Sequence, residues 1–318
     1  WYAAPVGALN YSDNCVEITV HPGGEAGAPV RVSVRPPNPL VEIVNRCRTG
    51  RGRDPVLHHP PGTFRYVVSG RCRKEWAFPP VAFPDPGLLF AASFRNVLAQ
   101  EGIVLNGTVR RERVRLDAGT LPSRLTVVAR WRTPIGDVLK RIGKNSQNLF
   151  AECLLKRTGY AFAKAAGDPR PVGSWSNGQR AVQSVLAAAG VDPKGFSIAD
   201  GSGLSRTNAC TPRQLVELLV WMRRRPGGPM FLESLSVNGV DGSLKRHLQD
   251  AAGMVHAKTG TMRGVRTLAG YVGPAGRPRY AFAVLFNGYK GGSGPYRKLQ
   301  DRFCRVLIDA LPDAHSSE

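Results

Sequence analysis

Residues 267–272 and 280–286 are rich in apolar and β-branched side chains, and Gly273-Pro274-Ala275-Gly276-Arg277-Pro278 separates them. Such a run of glycine and proline between two strand-like segments reads as a hairpin. A third strand, around His256-Ala257-Lys258-Thr259-Gly260-Thr261, comes just before them. Three consecutive strands of this kind form an antiparallel meander. Its apolar surface has to be covered, and helical periodicity lies both before and after it, so the expected class is α+β, with helices packed on an antiparallel sheet.

The helices are legible from their caps and spacing. Pro134 opens one that carries Val138, Leu139 and Ile142; others are expected at about 148–156 and at 179–189, the latter stopped by Gly190. Thr211-Pro212 places a capping hydroxyl ahead of a first-turn proline. Leu215, Leu218, Leu219 and Met222 then follow at i, i+3, i+4, i+7, a buried face. A last helix from about 297 sets Leu299, Phe303, Val306, Leu307 and Ala310 on one side. Residues 1–130 differ in character. Val16-Glu17-Ile18-Thr19-Val20 and Val30-Arg31-Val32-Ser33-Val34 alternate as half-buried strands, with turn residues His21-Pro22-Gly23-Gly24 after the first. Phe64-Arg65-Tyr66-Val67-Val68 is another strand, closed by Ser69-Gly70, and a further one is expected at 103–109. Prolines are dense between Pro36 and Pro86, which keeps strands short, and one helix at 88–100 interrupts the region. The chain therefore divides into a β-rich part, 1–130, and an α+β part, 131–318.

Composition narrows the classes. A net charge of +21 in 318 residues calls for an acidic partner or serves solubility alone. The basic residues are scattered (the run 110–115, Arg223 to Arg225, Arg302, Arg305) and aromatics do not interleave with them, which argues against a nucleic-acid binder. No apolar run is long enough to span a membrane. The chain opens on Trp1 and shows no signal peptide, as an extracytoplasmic protein would after processing. The six cysteines form no Cys-x-x-Cys pair; Cys47 and Cys72 bridge, or all six are buried thiols. The histidines (His21, His58, His59, His247, His256, His315) lack ligand spacing, so neither a metal nor another cofactor is expected.

Two short motifs carry chemistry. In Lys258-Thr259-Gly260-Thr261 an ammonium and two hydroxyls flank a glycine that admits close backbone approach, and on an edge strand the N–H of Thr261 suits an oxyanion hole. Lys258 either perturbs a neighbouring hydroxyl and meets a carboxylate, or is a solvated edge-strand lysine. Ser146-Gln147-Asn148 lies 258 − 146 = 112 positions earlier. Ser146 can pass a proton and Asn148 can hold an amide, or Asn145 or Ser146 merely caps a helix. His256, two residues before Lys258, shares its strand face and is read as a packed surface histidine. Asp200-Gly201-Ser202-Gly203-Leu204-Ser205 lacks the first glycine of a hydrolase elbow. It is a tight loop whose Asp200 bonds local backbone.

These stretches resemble the S13 D-alanyl-D-alanine carboxypeptidase/endopeptidase family, the low-molecular-mass penicillin-binding proteins of the PBP4-like group. The likeness rests on Lys144-Asn145-Ser146-Gln147-Asn148-Leu149 with Ala151-Glu152, on 198–205, on Gly239-Val240-Asp241-Gly242-Ser243-Leu244, on 257–261 and on Leu268-Ala269-Gly270-Tyr271. It implies a penicillin-binding, transpeptidase-like domain at 131–318, incomplete at its N-terminal part, with 1–130 as a β-rich inserted, non-catalytic region. It implies a serine acyl transfer on peptidoglycan stem peptides, inhibited by β-lactam antibiotics, with Ser146, Asn148 and Lys258 catalytic and Thr259, Gly260 and Thr261 holding substrate. It further implies a periplasmic or otherwise extracytoplasmic location, an anionic wall polymer as an additional partner for the charge, and a disulfide between Cys47 and Cys72. One departure stands out: no serine here has a lysine three positions on, so the family's Ser-x-x-Lys nucleophile is expected on a segment ahead of Trp1. The alternative expectation is an inactive homologue that binds peptidoglycan.

Overall fold

A computed structural model describes residues 2–110, 126–127 and 129–312, which form two compact units, 1–116 and 117–318. The basic residues 111–115 and His315 lie outside the described residues.

The first unit is built on β1 (Cys15–His21), whose alternating side chains bury Val16, Ile18 and Val20 completely. It pairs antiparallel with β2 (Arg31–Arg35) and, on its other edge, with the short β6 (Trp76–Ala77) and β7 (Val81–Ala82). A second sheet orders β3 (Glu42–Thr49), β5 (Arg65–Cys72) and β4 (Val56–His58), with β3 and β5 parallel. One core joins them around Tyr66, Val68, Phe83 and Leu89, the last from α1 (Pro86–Gln100). Asp85 caps that helix by accepting from Leu88 N. Strand β5 runs through Ser69-Gly70 rather than stopping there, because Gly70 adopts φ +106° where a Cβ would strike Asp54 O. Cys47 and Cys72 sit two register positions apart on β3 and β5 and are unbridged, buried thiols, contrary to the disulfide expected from the resemblance. Residues 103–109 are not a strand: Gly102 and Gly107 turn the chain at positive φ, and no strand partner lies beside them among the described residues.

The second unit has at its centre the four-stranded sheet β11 (Tyr280–Asn287), β10 (Val265–Val272), β9 (Val255–Met262) and β8 (Ser236–Val237), antiparallel throughout. Alternation along β10 divides its side chains between two covers. Leu268 and Val272 pack with Cys304 and Leu307 of α7 (Gly294–Asp309). Ala269 and Tyr271 pack with Leu219 of α5 (Pro212–Arg223) and Leu232 of α6 (Gly228–Ser234). The expected start of α5 is present as a full capping box between Thr211 and Gln214. Helices α2 (Ile135–Gly143), α3 (Asn148–Ala165) and α4 (Trp175–Ala188) precede α5, and α3 runs two turns beyond its expected end. Helix α7 departs from expectation: its buried positions are Gln300 and Cys304, while Leu299, Phe303 and Val306 of the apolar stripe are exposed. An amphipathic pattern locates a helix, but the residues that reach the sheet are decided by how the helix is rotated on it.

Gly143 ends α2 against the chain entering β8, and a Cβ there would lie 2.0 Å from Ser234 O. Gly143→Ala is therefore expected to destabilise this unit by about 1–3 kcal/mol, read as a lower urea midpoint, whereas Gly136→Ala in the same helix, where the nearest atom to such a Cβ is Met230 Sδ at 4.0 Å, is expected to hold or raise that midpoint.

Candidate active site

Lys258 and Ser146 meet although 112 residues separate them: Lys258 Nζ donates to Ser146 Oγ at 2.7 Å and to Thr259 O at 2.6 Å. Strand β9 makes this possible by dividing its side chains. His256 and Lys258 lie opposite Tyr271 and Ala269, on the α5 face, whereas Thr259 and Thr261 lie opposite Leu268 and Arg266 on the α7 face. Beyond Ala257 the outer edge of β9 has no strand partner among the described residues, because β8 pairs only with His256 and Ala257. Lys258 is thus an edge-strand residue but not a solvated one. Burial lowers its pKa to about 8, since desolvation penalises the ammonium.

Ser146 does not cap a helix. The residue ahead of α3 is Gln147, and Ser146 stands one step earlier with its hydroxyl turned to Lys258. Its φ of +53° is left-handed, a region that a serine occupies only when its surroundings hold it there. Part of that hold comes from Lys144, whose ammonium donates to Leu235 O at 2.9 Å and to Asp241 Oδ2 at 2.6 Å. Asp241 in turn accepts from Val237 N at 3.0 Å, which ties the turn between α2 and α3 to β8. Asn148 opens α3 two residues after Ser146.

The Gly239–Leu244 stretch supplies a row of hydroxyls. Thr259 Oγ1 donates to Ser243 Oγ at 2.8 Å, Ser243 Oγ lies 3.1 Å from Ser236 Oγ, and Ser236 donates to Gly143 O at 3.2 Å. Gly242 has φ +58°, and a Cβ there would lie 2.3 Å from Ser236 Oγ, so only glycine lets the row close. Gly260 is similarly confined, its missing Cβ replaced by Thr267 Oγ1 at 2.4 Å. Glu152, one turn beyond Asn148, accepts from Gly201 N, Ser202 N and Trp175 Nε1 and so fastens the 200–205 loop to α3. Inside that loop Asp200 accepts from Gly203 N and Ser205 N, the local bonding expected of it.

His256 is buried rather than at the surface, close to the Gly253 backbone. Burial lowers its pKa, favouring the neutral ring. Among the described residues no group of three His, Cys, Asp or Glu side chains converges as a metal site would, and no helix is long and apolar enough to cross a membrane. Ser243, Asp241 and Glu152 entered the sequence reading only as letters of a resemblance, and Ser236 did not enter it. Their contacts span 4 to 97 residues and leave no periodic trace.

A buried lysine on a sheet edge, bonded to a serine at the start of a helix, places this unit among the penicillin-interactive serine-enzyme folds. The chain matches the D-Ala-D-Ala carboxypeptidase 3 (S13) family over residues 1–303 and belongs to that family. It is 31% identical over 310 residues to the D-alanyl-D-alanine carboxypeptidase of Actinomadura sp. (strain R39), covering 91% of this chain and 55% of that protein. With the D-alanyl-D-alanine carboxypeptidase DacB of Haemophilus influenzae it shares 26% identity over 302 residues, 92% of this chain and 60% of that protein. The solved structure of penicillin binding protein 4 from the same organism, complexed with a β-lactam, superposes with a TM-score of 0.68 at 25% identity over 96% of this chain and 72% of that one. Another structure of that protein gives 0.74 at 24% identity over 96% and 69%, and supports the fold. The chain thus spans a little over half the length of these curated relatives.

The lowered Lys258 pKa has a testable sign. The folded state holds this proton less tightly than the unfolded chain, so stability is reduced below about pH 8 and recovers as pH rises from about 8 toward 10.5. Over that interval the wild-type protein should gain as much as about 3 kcal/mol relative to Lys258→Met. Urea unfolding of both proteins from pH 7 to 10 checks this, and parallel curves would mean that Lys258 is solvated.

Proposed function

We propose that the protein is a serine-type D-Ala-D-Ala carboxypeptidase or endopeptidase acting on peptidoglycan stem peptides outside the cytoplasm, through an acyl-enzyme that β-lactam antibiotics also form. The observation that carries this reading is the 2.7 Å bond between Lys258 Nζ and Ser146 Oγ, with Asn148 opening α3 two residues after Ser146. The names of the matched relatives support the substrate class.

In this reading the nucleophile is a Ser-x-x-Lys serine outside these 318 residues, since no serine among them has that neighbour. Its hydroxyl oxygen attacks the carbonyl between the two D-alanines as the lysine of the same Ser-x-x-Lys motif takes up the hydroxyl proton. The tetrahedral oxyanion is held by backbone N–H groups, that of Thr261 among them. As the C–N bond breaks, the proton reaches the departing amine from Ser146 Oγ, and Ser146 is resupplied by Lys258. Water then attacks the ester and releases the shortened peptide. Asn148 orients the substrate amide, Thr259 and Thr261 receive the terminal carboxylate, and Gly260 lets the peptide backbone approach β9. The 1–116 unit is a non-catalytic insertion. Arg48 and Arg71 lie opposite each other on β3 and β5, with no ion pair among the described residues, and an anionic wall polymer is proposed as an additional partner for the positive charge. Retention on isolated walls that falls as salt is raised would accord with it.

The protein produced from the whole gene, mixed with a penicillin, should gain the mass of one penicilloyl group and should release D-alanine from a D-Ala-D-Ala peptide. Asn148→Ala and Lys258→Met should each lower kcat/KM by about a hundredfold or more. Peptide binding with neither adduct nor release would favour the inactive, peptidoglycan-binding homologue instead.

A further inference from the structure

Arg266 is a buried cation with no acidic partner among the described residues, on the strand that backs the Lys-Thr-Gly edge. It faces Thr261 in register, and its side chain is only 8% exposed. Its Nη1 donates to Thr261 Oγ1 at 3.2 Å, and its Nε donates to Gln300 Oε1 at 2.9 Å. Gln300 comes from α7 and is itself 1% exposed. None of the described carboxylates forms an ion pair with the guanidinium. Asp301, the acid whose charge it feels, is held by His247 at 2.7 Å, and Arg297 adds repulsion. Interiors rarely keep a charge this way, because a desolvated ion without a counter-ion is expensive and arginine cannot escape by losing its proton. Replacing it with an apolar residue of similar volume would be the ordinary solution in a core.

The hydroxyl of Thr261 indicates what the charge is for. Its oxygen accepts from Arg266, so its own proton is directed elsewhere, and Thr261 is exposed. Thr259 differs, its proton being engaged with Ser243. Of the two threonines, Thr261 is the one already aimed.

We infer that Arg266 is a positioning residue for the terminal carboxylate of the peptide: it orients the Thr261 hydroxyl as a donor to that carboxylate and leaves its own charge unneutralised until the carboxylate arrives. This rests on the reading above in which Thr259 and Thr261 receive a D-Ala-D-Ala carboxylate. Gln300 is part of the device, since it fixes the guanidinium by a neutral acceptor where a glutamate would have cancelled the charge.

The test compares an N-acylated peptide ending in D-alanyl-D-alanine as the free acid with the same peptide as its C-terminal amide, using protein from the whole gene. The wild type should favour the acid in kcat/KM by about tenfold or more, the scale of a charge-assisted hydrogen bond. Arg266→Gln should remove most of that preference, mainly through KM, with the amide nearly unaffected. Arg266→Lys should restore part of it. Gln300→Glu keeps the arginine and the side-chain volume but supplies an internal counter-ion, so it should fold at least as well and still lose acid preference. That variant keeps the inference falsifiable if Arg266→Gln does not fold. Acid preference retained in Gln300→Glu and Arg266→Gln, or equal losses on acid and amide, would overturn the role of Arg266 alone. A wild type that cleaves both peptides equally well would overturn the two-threonine carboxylate site itself, and the inference with it.

Discussion

Everything in the second unit serves to hold one ammonium out of water. Lys258 gains from Ser146 Oγ and Thr259 O two hydrogen bonds in place of its hydration, and that exchange leaves the charge weakly favoured, with a pKa of about 8. A solvated lysine on an exposed strand edge would stay fully protonated at neutral pH and could only attract anions. One with a lowered pKa gives up its proton more readily near neutral pH. The burial comes from the fold: β9 turns Lys258 toward α5 and α6, and the turn between α2 and α3 brings Ser146 over it. Moving β9 by one residue in register would exchange Lys258 for Thr259 on that face and abolish the arrangement.

The surrounding contacts keep that geometry from relaxing. Ser146 has left-handed backbone, which a free loop would give up. The Lys144–Asp241–Val237 chain fixes the strand side of the loop, and Glu152 fixes the 200–205 loop on the helix side. Several of these partners are glycines at backbone approaches closer than any side chain permits. Gly143 meets the Ser234 backbone and Gly201 meets that of Ala151. Such approaches bring polar backbone together without water, so hydrogen bonds to charged groups are worth more there than at a surface. The strain at Ser146 is sustained by this network, as expected where a side chain is aimed for chemistry.

How much of this the amino-acid order discloses depends on range. The α5 start at Thr211-Pro212, the hairpin around Gly273–Pro278 and the alternation of β1 are local, decided by capping, turn chemistry and period, and they are where expected. Ser146, Asn148 and Lys258 were legible as a pair of motifs, though not which of two meanings each had; the alternatives, a cap and a solvated lysine, failed because tertiary contacts outbid local ones. Strands β3 and β4 gave no signal because the arginines and asparagine of β3 break its alternation, β4 is only three residues long, and their pairing partner β5 is non-local. The exposed Leu299, Phe303 and Val306 show the converse: a regular apolar stripe whose rotation on the sheet is set by Gln300, a polar residue fully buried to serve Arg266. Arg266 itself had no sequence signal, being one arginine among many.

Counting protons along the hydroxyl row shows what a ligand carboxylate must do to it. Ser236 spends its proton on Gly143 O, and its oxygen already accepts from Ser243 N at 3.0 Å. Ser243 therefore has one proton to place, toward Ser236 or toward Thr259. In the unliganded site Thr259 donates inward to Ser243, so the Ser243 proton points to Ser236. On the proposed reading, a carboxylate outside Thr259 would reverse the order: Thr259 would give its proton outward and accept from Ser243 in exchange. No heavy atom has to move, and no buried donor is orphaned. Thr261 would need no such reversal, because the Arg266 guanidinium has no acceptor and can only donate to it. The two threonines thus reach the same outward polarity by different means, one through a hydroxyl that can turn and one through a cation that cannot. That difference explains how a neutral serine can back the first position while the second carries a buried charge.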